Sequence, residues 1–480
     1  MTTNSGAVAA IILAAGKGTR IRSQRAKVLH ELGGEPMIRR AVRAVAAVEP
    51  NPDPIVIVVG HQAREVEAAV NFHRARFALQ EPQRGTGDAV RFGLNKVSEN
   101  FDGDVLITYG DMPAVTSATL RAFLEAHRKC GAKLSFISIV LDDPAAYGRV
   151  IRDASGKVEK IVEHRDASPA ERAIKEINTG CYLVDSALLR SVLEKLKPGN
   201  AQGEYYLTDI VAITRGRGEK VEAWVAEDPA EFAGINTREE LANMEAEIRV
   251  AVNRKLMASG VTLVDPASAY ISEQAAISPD CVIGPNVQIL GACKLGEGVR
   301  IDGTAWLSNV TIGPRCHLKL GVRAEDCVIG EESEIGPFAN LRAGTELAGH
   351  NRIGNFVETK KARLGRGTKA SHLSYLGDAT IGDDTNIGCG VITVNYDGYD
   401  KHRTEIGDRC MVGCDTQLVA PVKVGSDVYV ASGTTIIREV ADGALVMSLH
   451  PQREKAGWMA TWRERHGDSP DGSLKRKKDH

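Results

Sequence analysis

The chain has no cysteines at CxxC spacing, no apolar run long enough to cross a bilayer and no excess of charge of either sign. Its nine cysteines are scattered, so neither a disulfide framework nor a zinc site is indicated. Their odd number and the lack of a basic leader fit a reducing cytosol, where each thiol is expected to act as a small buried apolar group. Sixty basic side chains stand against 62 acidic ones, a net charge of −2. Neither nucleic acid nor an anionic membrane is therefore expected as the main partner. Spanning a bilayer takes about 20 apolar residues. The N-terminal run from Val8 to Ala15 is shorter and ends in a glycine loop, so it reads as a first β-strand rather than a signal peptide.

The chain does have a repeat. From about residue 277 to 437, aliphatic–glycine pairs recur at intervals built on six. Ile329-Gly330 and Ile335-Gly336 are 6 apart, Ile283-Gly284 and Leu295-Gly296 are 12 apart, and Ile335 and Ile353 are 18 apart. Hexapeptide periodicity marks a parallel β-helix, expected here to be left-handed, with one aliphatic side chain in six pointing inward. The neighbouring glycine is expected to ease the backbone round a corner. The segment Val391–Thr404, with NYDGYDKHRT, breaks the rhythm and is expected to project as a loop.

The N-terminal half reads differently. At 480 residues two or more domains are expected. The strands AAIIL, PIVIVVG, VLITYGD, LSFISIVL and CYLV alternate with helical stretches at 36–48, 62–70, 116–129 and 186–196. That alternation predicts an α/β, Rossmann-like, mostly parallel sheet whose ligands sit at the carboxyl ends of the strands. Thr237 and Glu240 form a capping-box pattern before Leu241, Met244, Ile248, Val252 and Leu256. The expected domains are thus 1–236, a linker helix at 237–260, a β-helix at 261–464 and a disordered tail at 465–480.

Strand AAIIL runs into Ala14-Ala15-Gly16-Lys17-Gly18-Thr19-Arg20, with Lys27 further on. A glycine loop lets main-chain N–H groups approach a phosphate, and Arg20 and Lys27 can neutralise it. A lone GxG is equally a tight turn, so the companions matter. Gln80-Glu-Pro-Gln-Arg-Gly85-Thr86-Gly87 is a second glycine loop, and Tyr109-Gly110-Asp111 puts a carboxylate at a strand end. Glu163, Asn178 and Asn236 are further polar residues near strand edges or the helix start. Mg²⁺ prefers hard oxygen ligands and keeps several waters, so one Asp, one Asn and substrate phosphates suffice.

LAAGKGTR, the downstream lysine, QRGTGDA and YGD resemble the sugar-nucleotidyltransferase (pyrophosphorylase) family. EYYLTDI and GIN, with the hexapeptide half, narrow the resemblance over residues 8–460 to its bifunctional branch. Those enzymes combine N-acetylglucosamine-1-phosphate uridylyltransferase and glucosamine-1-phosphate N-acetyltransferase. The resemblance implies that Leu13, Ala14, Ala15, Gly16, Gln80, Gly85 and Thr86 hold the uridine nucleotide. Tyr109, Gly110, Gly148, Glu163 and Asn178 would surround the sugar and phosphates, and Asp111 and Asn236 would bind Mg²⁺. The sugar-1-phosphate oxygen attacks the α-phosphorus of UTP and releases pyrophosphate, a transfer that needs positioning and charge neutralisation. The chain departs from the family in having Arg25-Ala26 where Leu-Pro commonly precedes the lysine.

The second half carries KKARLGRGTKASHLSYLGD, which matches the acetyltransferase segment of that branch. The resemblance makes His372 the general base, with Arg342 and Lys360 on the sugar phosphate and Tyr375 and Asn386 on the sugar. Histidine suits the role because it titrates near neutrality. Acetyl-CoA would lie against Cys389, Asn395, Tyr396, Cys414, Ser432 and Leu449. Four of these depart from the usual residues: Cys389 and Ser432 replace alanines, Cys414 a serine and Leu449 an arginine. The resemblance further implies a cytosolic homotrimer acting on UTP, glucosamine 1-phosphate, N-acetylglucosamine 1-phosphate and acetyl-CoA. Two rival readings remain: a nucleotidyltransferase with a regulatory β-helix, as in ADP-glucose pyrophosphorylases, and a non-enzymatic assembly subunit. His372, Lys360 and the NYDG loop oppose the first, and Asp111, Lys27 and Asn236 the second.

Overall fold

The computed structural model describes residues 6–70, 74–448 and 452–466. They divide into two compact units. The first runs to Ser259 and takes in Asp265–Ala275 and Gln288–Ala292; the second comprises Gly260–Val264, Ala276–Val287 and the chain from Cys293.

The first unit is built on nine strands: β1 (Ala7–Leu13), β2 (Ile55–Val59), β3 (Ala75–Leu79), β4 (Gly103–Tyr109), β5 (Leu134–Val140), β6 (Arg149–Arg152), β7 (Val158–Val162), β8 (Glu176–Asp185) and β9 (Val221–Val225). The main order is β9-β5-β8-β4-β1-β2-β3. β1, β2, β3 and β4 are parallel, as are β5 and β9, while β8 runs antiparallel to both its neighbours. In β1, Ala9, Ile11 and Leu13 enter one apolar core and Val8, Ala10 and Ile12 the other. Burial on both faces is why a central parallel strand is an unbroken aliphatic run. β3 and β9 lie at the edges and read ARFAL and VEAWV, half polar, which is why no strand is expected there from sequence. The hairpin of β6 and β7 is also absent from the sequence reading.

Around the sheet lie α1 (Met37–Ala46), α2 (Ala63–Ala69), α3 (Thr86–Leu94), α4 (Ser117–Cys130), α5 (Ser186–Leu193) and α6 (Asp209–Gly216). α3 and α6 go beyond the sequence reading; α3 is short and contains two glycines. The last helix of this unit, α7 (Arg238–Ala258), starts at the capping box. The Thr237 hydroxyl accepts from the Glu240 N–H at 3.1 Å, and Glu240 accepts from the Thr237 N–H at 3.0 Å. Met244 of α7 packs with Leu32, Met37 and Ile235.

The second unit is a parallel β-helix. Ile312, Ile329, Leu347, Leu364 and Ile381 stack in register, each buried, with Ile406 and Val424 continuing the ladder. The partner of Ile329 is 18 residues on, but that of Ile381 is 25 on, because the segment around 395–403 leaves the coil. Two long strands, β10 (Arg352–Lys360) and β11 (Lys369–Gly377), carry the chain round one corner side by side.

The corner glycines differ from expectation. Gly284, Gly330, Gly354 and Gly388 have no positive φ, whereas Asp280, Asn286, Glu332, His350, Asp384 and Asp415 do. The glycines are needed for room: a Cβ on Gly284 would lie 2.2 Å from the Asp302 carbonyl oxygen, and one on Gly354 2.0 Å from that of Ser371. At these corners close stacking of coils selects glycine after the inward aliphatic residue, whereas Gly336, after Ile335, also takes a φ of +95.

Six of the nine cysteines are buried and Cys389 and Cys414 are exposed. Burial pushes the thiols of Cys181 and Cys327 up to about 12. Among the described residues no helix is long and apolar enough to cross a membrane.

Candidate active sites

The first site forms where β1 and β4 end together. Leu13 is in register with Tyr109, and the Gly110 N–H donates to the Leu13 carbonyl at 2.9 Å. The glycine loop and Asp111 therefore leave the sheet side by side. They open on a cavity of about 320 Å³ lined by Leu13, Ala14, Ala15, Gly16, Lys27, Gln80, Gly85, Thr86, Tyr109 and Asp111, with Gln83 and Glu204 besides. Gln83 was not singled out from sequence, although it lies within the second glycine loop; its amide donates to the Ala15 carbonyl at 2.6 Å.

The EYYLTDI segment braces that second loop. Tyr205 N–H donates to the Arg84 carbonyl at 2.9 Å, and Gly87 N–H to the Tyr205 carbonyl at 2.8 Å. A Cβ on Gly85, at φ +109, would meet the Tyr205 carbonyl at 2.7 Å, so close approach and conformation both demand glycine. Gln80 is buried and donates to the Gly85 carbonyl at 3.0 Å, so it shapes the loop.

The charged groups converge. Lys27 Nζ pairs with Asp111 and also donates to Asn236 Oδ1 at 3.1 Å, and Arg20 donates to the same oxygen at 2.8 Å. A carboxylate and an amide oxygen thus face one cationic point, and these hard donors fit a divalent cation. Lys27 reaches this position despite Arg25-Ala26. Ala26 is buried and its N–H, which a proline would lack, donates to Gln62 Oε1 at 2.6 Å before the turn Lys27–Leu29. Gly18 adopts φ +60 and passes so close that a Cβ would lie 2.6 Å from Lys27 Cβ.

Gly148, Glu163 and Asn178 cluster beside the cavity. Asn178 N–H donates to the Gly148 carbonyl at 2.9 Å, and a Cβ on Gly148 would lie 3.5 Å from Glu163 Oε2. Burial raises the Glu163 carboxyl, and the charges of Asp209 and Asp166 add to it, while a 3.1 Å bond from Thr208 opposes. The Tyr109 hydroxyl is raised in the same way, by burial first and then by Glu163 and Asp111. Asn178 Nδ2 is already engaged, donating to the Tyr182 hydroxyl at 2.8 Å.

The second site follows the corner of β10 and β11. Their register pairs Asn355 with His372, Glu358 with Tyr375 and Lys360 with Gly377. Leu341 pairs with Thr359, which puts Arg342 opposite Lys360, and Arg342 pairs with Glu358 at 2.7 Å. Arg342, Lys360 and Tyr375 share this face, and His372 stands exposed at the corner. Lys401, from the inserted loop, reaches the Lys360 amine and depresses it, with the Arg342 charge acting in the same sense. Three cations thus gather on this face, of which Arg342 is paired with Glu358.

Asn386 lies past the corner, in register with Lys369, and its amide faces Met411 Sδ at 3.3 Å. Continuing the registers of Ala370 with Ile387 and Ile387 with Val412 and Val430 sets His372, Cys389, Cys414 and Ser432 in one line on successive coils. Asn395 is buried and donates to Asp378 Oδ2 at 2.6 Å, whereas Tyr396 is exposed on the inserted loop. Leu449 lies outside the described residues. Sequence reasoning missed Asn355, Glu358 and Lys401. The period of two along β10 would have placed Glu358 beside Lys360.

An α/β unit with two glycine loops at its strand ends and a hexapeptide β-helix with an exposed histidine at one corner have the build of a two-site transferase. Residues 10–168 match the MobA-like NTP transferase domain, 266–361 the GMPPB C-terminal domain and 403–438 the bacterial transferase hexapeptide (six repeats). The chain is 46% identical over 459 residues to the bifunctional protein GlmU of Pelobacter propionicus, covering 94% of this chain and 98% of the other. It is 44% identical to that of Geobacter sulfurreducens, over 94% and 98%, and 42% identical to that of Corynebacterium glutamicum, over 96% and 95%. The chain belongs to the GlmU family of bifunctional enzymes, with uridylyltransferase and glucosamine-1-phosphate acetyltransferase activities. It is accordingly a divalent-metal-dependent enzyme that uses acetyl-CoA.

Proposed function

We propose that the β-helix corner acetylates glucosamine 1-phosphate and that the α/β site then transfers a uridylyl group from UTP to the product. In the first step His372 takes a proton from the substrate ammonium, and the free amine attacks the thioester carbonyl of acetyl-CoA. Arg342, Lys360 and Lys401 hold the phosphate, with Tyr375 and Asn386 on the sugar. Cys389, Cys414 and Ser432 lie along the coenzyme, with Asn395, Tyr396 and Leu449 completing its site. In the second step the glycine loops hold the nucleotide, with Gln80 bracing the second, while Lys27 and Arg20 neutralise phosphate charge. Gly110, Gly148, Glu163 and Asn178 shape the sugar subsite beside Tyr109.

Asp111 and Asn236 would hold Mg²⁺, which supplies charge neutralisation on the phosphates when bound. The observation that carries the reading is the convergence of Asp111 and Asn236 oxygens on Lys27 Nζ. The His372 line plays the same part in the second unit. We infer further that the enzyme works in the cytosol as a homotrimer, the usual assembly of hexapeptide β-helices. The domain limits proposed for the two activities are 1–236 and 261–464, with 237–260 between them and the tail from 465 outside both.

Both activities measured on one preparation test the reading. Asp111→Ala should lose uridylyl transfer and keep acetyl transfer. His372→Ala should do the reverse, with a loss of about 10²–10⁴-fold in turnover. Near wild-type uridylyl transfer without Asp111, or acetyl transfer without His372, would refute the respective assignment.

A further inference from the structure

Of the nine cysteines, all within the described residues, Cys389 and Cys414 alone are exposed. They are also neighbours. Ile387 pairs with Val412, so two residues on Cys389 stands opposite Cys414. The Asp415 N–H donates to the Cys389 carbonyl at 2.7 Å, and a Cβ on Gly388 would lie 2.7 Å from the Cys414 nitrogen. Adjacent coils lie about 4.8 Å apart, inside the roughly 4.4–6.8 Å range of Cα separations that a disulfide bridges. Both side chains leave the same corner outward.

We propose that Cys389 and Cys414 are a redox-sensitive dithiol, closed to a disulfide by a peroxide, and that its closure shuts the acetyl-transfer site. His372 precedes Cys389 on the line and Ser432 follows Cys414, so the bridge spans the stretch read above as the coenzyme's; the regulatory part of the proposal rests on that reading. The chemistry balances. The Cys389 thiol gives up its proton, and its sulfur attacks one peroxide oxygen, breaking the O–O bond to leave a sulfenic acid and water. The Cys414 sulfur then attacks the Cys389 sulfur, forming S–S as S–O breaks and releasing a second water. Two thiols lose two electrons and two protons, and the peroxide is reduced to two waters. A dithiol reductant reverses the step by exchange. The buried thiols of Cys181, Cys281, Cys293, Cys316, Cys327 and Cys410 are out of reach of the oxidant.

The test treats the reduced full-length enzyme with hydrogen peroxide. Digestion without reductant and mass spectrometry then follow the peptides of 389 and 414, alongside both activities. The expected result is one intrachain cross-link, two hydrogens lighter than the dithiol. Acetyl transfer should fall at least about tenfold in step with it, uridylyl transfer should stay within about twofold, and dithiothreitol should restore the loss. In Cys414→Ser, whose melting curve checks folding, the cross-link should vanish. Peroxide should then carry Cys389 to a sulfinic acid that dithiothreitol does not reverse. Two thiols that both remain open to alkylation after peroxide would overturn the dithiol. A cross-link that forms while acetyl transfer is unchanged would overturn the switch, whereas the placing of the coenzyme is read apart from it, by whether acetyl-CoA protects the two thiols of the reduced enzyme from alkylation.

Discussion

Asn355 carries a side-chain oxygen that is buried without a donor, on the coil next to His372. A buried carbonyl left unpaired costs about 1–3 kcal/mol. An imidazole N–H one coil away would satisfy it and fix which ring nitrogen stays free as the base. Asn355→Ala should therefore lower the turnover of acetyl transfer by about tenfold, with little change in the Michaelis constants. Asn355→Asp puts a carboxylate there and should move the acid limb of the pH–rate profile to higher pH. A purely structural role would change the melting temperature and leave that limb in place. Glu163 offers a second test at this scale. Burial holds its carboxyl above the ordinary glutamate value, so the folded protein binds this proton more tightly than the unfolded chain. Stability from this group is complete below the unfolded value and is lost as pH rises through the folded one. Glu163→Gln should thus melt higher than the parent at neutral pH, and the gain should disappear in acid; melting curves across pH decide it.

Among elements, the β-helix corners make the sharpest demand. A Cβ on Gly354 would lie 2.0 Å from the Ser371 carbonyl of the next coil. Gly354→Ala should destabilise the second unit by at least about 1–3 kcal/mol, read from its melting or denaturant curve. Asp280, already at φ +60, should accept glycine with a change no larger than about 0.5 kcal/mol. The six-residue period shows where the corners fall. It does not show that crowding by the next coil, rather than φ, selects glycine at corners such as Gly354. The strands follow the same division: central β1 and β4 are plain in the sequence because both faces are buried, whereas edge strands β3 and β9 hide in half-polar segments.

At the scale of the whole molecule, α7 belongs with the first compact unit. Its Met244 joins Leu32, Met37 and Ile235 in a small core, and Gly33 N–H donates to Glu245 Oε2 at 2.7 Å. A chain ending at 236 loses these contacts, while one ending at 259 keeps them. The shorter fragment should be less stable by about 2–5 kcal/mol, judged by what removing a buried methionine alone costs. Denaturation of the two fragments with uridylyl transfer as a second readout checks this; equal stability would make α7 a mere connector.

The sequence by itself determined the two architectures, because hexapeptide periodicity and the alternation of strands with helices are local signals, whereas the candidate site residues came mainly from its resemblance to a family. It offered Lys27, Asp111 and Asn236 as candidates, but their meeting at one point joins segments more than 80 and 200 residues apart. Only the tertiary structure decided which residues become neighbours across coils: Asn355 beside His372, Lys401 beside Lys360 and Cys389 beside Cys414. Register is the physical reason. A 17- or 18-residue coil and one inserted loop set which side chains stack, and a shift of one residue would turn each to another face.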